Sequence, residues 1–393
     1  MPYQRPKYLK SMMLNTTDAC NLRCRYCFLS QKPNYMSYQV AKDATDLLAE
    51  CYTEGQKDKQ TLNFFGGEPL LMWDTIVKPI TEYVCSNDLP IKLGITTNGI
   101  LLDEEKAKFL KDNNVGLLFS IDGSKKFQDY NRPLPGGKSS YDVLEPKFDM
   151  ILKYFNPTFR STLLPYACGD IWDNYMFAQS KGFNQFFTCP DDWSTYSDED
   201  IEKMKTELHK IGLYYTDSYR KPYLPKGFIH FSPLEQQLRQ INRFYSKYET
   251  GDCDRHCSSQ CGLGIAGCAV NWEGALFGCQ ECAGNGAVED NLHYIGDIYN
   301  GFDIDRHKKL LSYYRRDEVT CTKEGECNSC VYKYVCNTGH CHANSYLISG
   351  KSNVKAYVRC VYDRTLLEIA LSIDSLLKDD ANSLYYKTYK KDN

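Results

Sequence analysis

Cysteine placement constrains this chain more than any other feature. Seven of its 19 cysteines lie before residue 250, and twelve crowd between Cys253 and Cys360. The crowded stretch has few long apolar periods, so it lacks enough core to fold alone and needs staples. Secreted disulfide scaffolds are also cysteine-rich, but such chains are usually short and carry a signal segment. This chain has 393 residues, and its start, MPYQRPKYLKSMML, holds no apolar run of signal-peptide length. No stretch approaches a transmembrane length either. The reading is a cytoplasmic protein whose crowded thiols ligate metal or clusters. Net charge is −3, which gives no global reason to expect nucleic acid or an anionic membrane as partner.

The first half alternates short apolar runs with helical periods. Strands are predicted at Met12–Asn15, Thr61–Phe65, Lys92–Thr97, Gly116–Ile121, Arg160–Leu164 and Gln185–Thr188. Between them, amphipathic segments run over Ser37–Cys51, Asp74–Cys85, Glu104–Asn113, Tyr141–Tyr154 and Ile171–Lys181. Six such units predict a parallel α/β sheet with right-handed crossovers, a partial (β/α)6 TIM-like barrel. Chemistry in such sheets sits at the C-terminal ends of the strands. Ser197–Tyr248 reads as a polar helical bridge, and the cysteine-dense region shows one hairpin, Ala269–Trp272 and Ala275–Gly278 about a Glu273-Gly274 turn. Arg364–Leu377 reads as an apolar-periodic helix, and the Lys- and Tyr-rich end as a frayed tail. The expected domains are 1–225, a bridge at 226–250, a cysteine-rich domain at 251–363, and a terminal helix and tail at 364–393.

Directly after the first strand stands Cys20-Asn-Leu-Arg-Cys24-Arg-Tyr-Cys27. Three thiolates in one short loop can hold three corners of a cubane, leaving one iron without a protein ligand. Structural clusters normally take four cysteines, so an open iron implies a small-molecule ligand. A zinc site would usually show paired CxxC motifs or histidines.

This motif resembles the mark of the radical S-adenosylmethionine (SAM) superfamily. The resemblance implies a 4Fe–4S cluster whose open iron is chelated by SAM, and reductive cleavage of SAM to a 5′-deoxyadenosyl radical that abstracts a substrate hydrogen. Phe65-Gly66-Gly67-Glu68-Pro69 resembles the family's GGEP segment, with glycines allowing close backbone approach to the methionine moiety and Glu68 receiving its ammonium. By the same resemblance, Thr96-Thr97-Asn98-Gly99 and Ser120-Ile121-Asp122-Gly123 touch SAM, Tyr26 contacts the adenine, Ser120 the ribose, and Arg132 the carboxylate. The bland alternatives are a strand-end turn, polar strand ends and a solvated arginine.

The later cysteines resemble the SPASM domain, which implies two auxiliary 4Fe–4S clusters and three clusters in all. By position, Cys261, Cys279 and Cys341 would hold auxiliary cluster I, with Cys257 the preferred fourth ligand and Cys268 the alternative. Cys327, Cys330, Cys336 and Cys360 would hold cluster II. Four residues separate Cys336 from Cys341, where the pattern more often has two or three. Cys253, Cys282 and Cys321 are left over, while Cys51, Cys85, Cys168 and Cys189 read as small buried hydrophobes.

SPASM members mostly modify ribosomally made peptides, so the resemblance implies a maturase forming a thioether or carbon–carbon cross-link. It also implies a peptide or protein substrate and a flavodoxin or ferredoxin reductant. Only 19 residues precede Cys20, too few for an N-terminal leader-binding domain, so leader recognition is expected either from a separate leader-binding protein or from the SPASM half. The alternative is an anaerobic sulfatase-maturating enzyme that makes formylglycine from Cys or Ser. Such relatives show a Cys-Asp step where this chain has Cys279-Gln280, and an amide takes no proton at neutral pH. Glu281 is next, but on an extended segment its side chain would point elsewhere. From another class, an Fe–S electron carrier would have no use for a SAM site.

Overall fold

The computed structural model describes residues 3–52, 58–249, 262, 264–284, 290–312, 320–321, 325–326, 329–332, 341–350 and 354–390. Cys257, Cys261, Cys327 and Cys336, four of the expected cluster ligands, lie outside the described residues.

One twelve-stranded sheet organises the molecule. Its strands are β1 (Tyr3–Gln4), β2 (Ser11–Thr17), β3 (Gln60–Gly66), β4 (Ile91–Thr97), β5 (Gly116–Ser120), β6 (Phe159–Leu163) and β7 (Gln185–Pro190). They continue as β8 (His230–Phe231), β9 (Gly267–Val270), β10 (Ala275–Phe277), β11 (Tyr294–Asp297) and β12 (Gly301–Asp303). From β2 to β8 each strand lies parallel beside the next, so this part is an open partial barrel. The six expected strands are all present. The seventh, β8, is too short to show a period in the sequence.

Alternate residues face opposite sides of this sheet. Phe119, Phe159 and Phe186 are register neighbours that face outward, where Phe148 and Phe183 pack edge-on or stacked against Phe119 and Phe159. Ser120, Arg160 and Phe187, one residue on, therefore line the inner face. The outer helices follow their apolar periods. Tyr38–Glu50 starts at Ser37, whose hydroxyl accepts the Val40 N–H, and buries Ala41, Ala44, Leu47 and Leu48.

The cysteine-rich part is joined to the barrel through the sheet itself. Strand β9 runs parallel to β2, pairing Met12 with Cys268 and Met13 with Ala269. Beyond it, β10, β11, β12 and β1 form an antiparallel meander. The predicted hairpin is thus present, turning at Gly274 with φ +91°, a conformation that glycine adopts freely.

Ser197–Tyr248 contains two helices, Asp198–Arg220 and Ser232–Glu249, which pack on the helix Tyr357–Leu377. That last helix begins seven residues earlier than its apolar period suggests and so carries Cys360. The terminus corrects the expectation of a frayed tail. Leu384–Tyr389 is helical, and Tyr385 is fully buried, donating to Asp374 (2.7 Å) and accepting from Asn242 (3.1 Å). A run of tyrosines reads as polar in sequence, but their rings supply apolar area once a partner face exists.

Candidate functional site

The loop after β2 carries Cys20, Cys24 and Cys27, all partly exposed. Backbone hydrogen bonds grip it from two sides. On one, Gly67 N–H donates to Thr17 O (2.7 Å) and Glu68 N–H to Ala19 O (3.0 Å). On the other, Arg23 N–H donates to Pro133 O (2.8 Å) and Arg25 N–H to Asn131 O (2.9 Å). Cys20 Sγ receives the Leu22 N–H at 3.4 Å and Asn98 Nδ2 at 3.7 Å. Burial pushes the Cys20 thiol up to about 11 and the Cys24 thiol up to about 12. Metal binding at these thiols would therefore release protons.

Each resembling segment takes a definite place. Gly66 and Gly67 are required by the chain itself, because a Cβ on either would strike the backbone of Thr17 or of Asp18 and Ala19. The glycines let the end of β3 lie against the cysteine loop. Glu68 is buried, and its carboxylate already holds three donors. Oε1 accepts from Thr97 Oγ1 (2.7 Å) and Leu70 N–H (3.0 Å), and Oε2 from Asn98 N–H (2.9 Å). Burial raises its carboxyl above the usual range, and the donors hold part of that rise back. Asn98 Nδ2 also donates to Asn21 Oδ1 (2.8 Å), so Glu68 braces the β4 end that touches the cysteine loop.

Tyr26 of the cysteine loop and Arg132, which follows the helix Lys125–Asn131, meet beside Asp122, two residues after Ser120 ends β5. The Arg132 guanidinium sits 5.2 Å from the Tyr26 ring centre, and its Nε lies 3.1 Å from Asp122 Oδ2. That Nε–H is buried and has no hydrogen-bond partner among the described residues, so the Asp122 contact is an off-axis ion pair. The carboxylate raises the Arg132 pKa further, against the opposing effect of burial. Asp122 was missed as a site residue in the sequence. Its place in Ser120-Ile121-Asp122-Gly123 was the available signal.

In the cysteine-rich part, Cys279, Cys282 and Cys341 join one apolar cluster with Phe277, Ala283 and Ala343. Cys268 lies elsewhere. It is a register neighbour of Met12, whose side chain faces outward, and belongs with Cys51 to the barrel's outer core. As the alternative partner of Cys279 it is on the wrong face of the sheet. Cys330 lies in a segment tied by Tyr332, whose hydroxyl donates to Glu368 (3.0 Å) on the helix that carries Cys360. Among the described residues no three Cys, His, Asp or Glu side chains converge on a single metal ion.

Glu281 corrects an expectation. Gln280–Cys282 is a 3-10 turn rather than an extended segment, so strand alternation does not aim the Glu281 side chain. The Glu281 carboxylate faces Asp192, Arg359 and Arg160, and burial pushes it up to about 7. Its Oε2 is buried with no hydrogen-bond partner among the described residues. Asn15 Nδ2 of β2 donates to Gln280 O (3.1 Å), so this turn lies over the barrel's inner face.

The Radical SAM superfamily model matches residues 14–170. A cysteine-type anaerobic sulfatase-maturating enzyme of Clostridium perfringens is 29% identical over 153 residues, which are 37% of this chain and 41% of that protein. The radical SAM cyclopropyl synthase TigE of Paramaledivibacter caminithermalis is 24% identical over 227 residues, 52% of this chain and 47% of that one. The chain spans about half, or less, of the length of the curated relatives it first matches. In three dimensions the chain is similar to anSMEcpe with bound AdoMet, with TM-score 0.69 at 17% identity, covering 96% of this chain and 99% of that one. It is also similar to Streptococcus suis SuiB bound to its precursor peptide SuiA, with TM-score 0.51 at 14% identity, covering 90% and 76%. Among the described residues no helix is long and apolar enough to cross a membrane. The three thiols fit a cubane with one open iron, and the buried, under-bonded Arg132 guanidinium beside them fits a carboxylate-bearing ligand such as SAM. With that loop inside the matched sequence, residues 14–170 are a radical SAM domain, similar to the matched part of the anaerobic sulfatase-maturating enzymes.

Proposed function

We propose that this chain is a peptide maturase that joins two side chains of a ribosomally made peptide through a thioether or carbon–carbon bond. SAM and the cluster at Cys20, Cys24 and Cys27 would supply hydrogen abstraction from an unactivated carbon. The chain's own residues bind and orient. Glu68 and Asn98 brace the cysteine loop, Tyr26, Ser120 and Arg132 would hold SAM, and Arg160 and Phe187 line the space beyond Ser120. The observation that carries the reading is the continuity of the sheet. It sets the Cys279 turn over the inner face of the barrel, above the cysteine loop. Auxiliary clusters held by Cys257, Cys261, Cys279 and Cys341, and by Cys327, Cys330, Cys336 and Cys360, would accept the substrate's surplus electron. A low-potential flavodoxin or ferredoxin would be the reductant.

Glu281 favours a second reading, sulfatase-type oxidation to formylglycine. Although Gln280 cannot take a proton, a buried carboxylate stands one residue on, with one oxygen unpartnered among the described residues. One experiment separates the two: anaerobic incubation with SAM, dithionite, a sulfatase-derived peptide and, as second peptide, a candidate Cys-rich or aromatic-rich precursor peptide. A mass loss of about two hydrogens in the second peptide, with fragmentation blocked between two residues, is expected. Formylglycine in the first, with the second untouched, promotes the other reading. In that case Glu281→Gln should cost about a hundredfold or more in turnover, the usual contribution of a general base.

A further inference from the structure

We infer that Asp122 is the positioning residue of the SAM site, holding Tyr26 and Arg132 in their working orientations. This rests on the assignment of those two residues to SAM. Asp122 follows the end of β5, and its side chain is fully buried. Oδ2 accepts the Tyr26 hydroxyl (2.7 Å) and meets Arg132 Nε (3.1 Å), while Oδ1 accepts Thr162 N–H of β6 (2.9 Å). Its backbone is held as firmly, with its N–H donating to Gln128 Oε1 (3.0 Å) and its carbonyl accepting from Asn174 Nδ2 (2.7 Å). The next residue, Gly123, has φ +141°, and a Cβ there would strike Asn174. Asp122 is thus fixed from the helices Lys125–Asn131 and Ile171–Ser180 and from β6 before it meets either partner.

Two consequences follow. The Tyr26 hydroxyl is committed to Asp122, so Tyr26 meets a ligand through its ring. Arg132 faces Asp122 through Nε alone, so its two terminal NH2 groups are the donors that would meet a carboxylate. A buried carboxylate needs a counter-charge, and Arg132 supplies it, so the pair is mutually fixed. An asparagine at 122 has a single acceptor oxygen. Turned toward Tyr26 and Arg132, it presents its NH2 to the Thr162 N–H, and turned the other way it presents its NH2 to the Arg132 Nε–H and reverses the Tyr26 hydrogen bond.

The test uses the full chain, reconstituted anaerobically, with SAM itself as the probe. Binding is measured by calorimetry without reductant, and the reduced cluster by electron paramagnetic resonance with and without SAM. Asp122→Asn should keep its iron, weaken SAM about 10- to 100-fold as lost supporting contacts do, and blunt the SAM-induced spectral change. Tyr26→Phe removes only the hydroxyl and should weaken SAM several-fold. Arg132→Gln tests the underlying assignment. If it binds SAM as the wild type does, the SAM-site reading fails. If Arg132→Gln weakens SAM while Asp122→Asn and Tyr26→Phe retain wild-type affinity, the inference is overturned. Should Asp122→Asn lose its iron, Tyr26→Phe decides: unchanged affinity overturns the inference, and weakened affinity upholds it.

Discussion

Replacing Glu68 by glutamine separates a brace from a ligand contact. Glutamine keeps the shape of the side chain but exchanges one acceptor for a donor pair. With Oε1 left on Thr97 and Leu70, the new NH2 faces the Asn98 N–H, and both donors are orphaned in a buried site. An unsatisfied buried donor costs about 1–3 kcal/mol. The two remaining bonds also lose charge assistance, which roughly doubles hydrogen-bond strength. Against this, the burial that raises the Glu68 carboxyl is relieved in a neutral side chain. The balance is a destabilisation of about 2 kcal/mol, near the lower end of those costs. For a unit of this size that lowers the melting transition by roughly 4–8 °C. Because Asn98 Nδ2 also reaches Cys20 Sγ, iron retention should fall in parallel. Differential scanning fluorimetry and iron counting under anaerobic conditions measure both. An unmoved transition and full iron, with SAM binding alone abolished, would refute the brace and leave Glu68 as a ligand contact only.

Three further outcomes are expected. The triple variant Cys20→Ala, Cys24→Ala, Cys27→Ala should lose about four irons per chain and all SAM cleavage, and surviving cleavage would sink the catalytic assignment. Three clusters imply roughly twelve irons in the reconstituted wild type, and Cys327→Ala with Cys330→Ala should remove about four; a fully loaded wild type near four irons would contradict the auxiliary clusters. Gly67→Ala drives a Cβ into the Ala19 carbonyl, an overpacking cost of about 1–3 kcal/mol, so iron at the cysteine loop should fall while circular dichroism stays native. Normal iron loading in that variant would show that the loop can shift.

What was legible in the sequence was local. Six strands and their helices appear because apolar residues repeat at the period of the element that buries them, as Phe119, Phe159 and Phe186 do on one face. Cys20, Cys24 and Cys27 are legible for the same reason, since a ligand set in one short loop needs no fold to bring it together. Tertiary structure decided the rest, where contact and chain distance part company. Strand β8 is two residues long and exists because β7 offers it an edge. Cys268 stood as the alternative to Cys257 in sequence, and only the pairing of β9 with β2 turned it to the outer face. Glu281 follows a 3-10 turn rather than the strand alternation its neighbours suggest. Asp122 meets Tyr26 across 96 residues, Arg132 across ten and Thr162 across forty, and no period in the chain encodes a carboxylate shared among three elements. Periodicity records which face a residue turns to the core, whereas the partners waiting on that face are set by the packing of the whole chain.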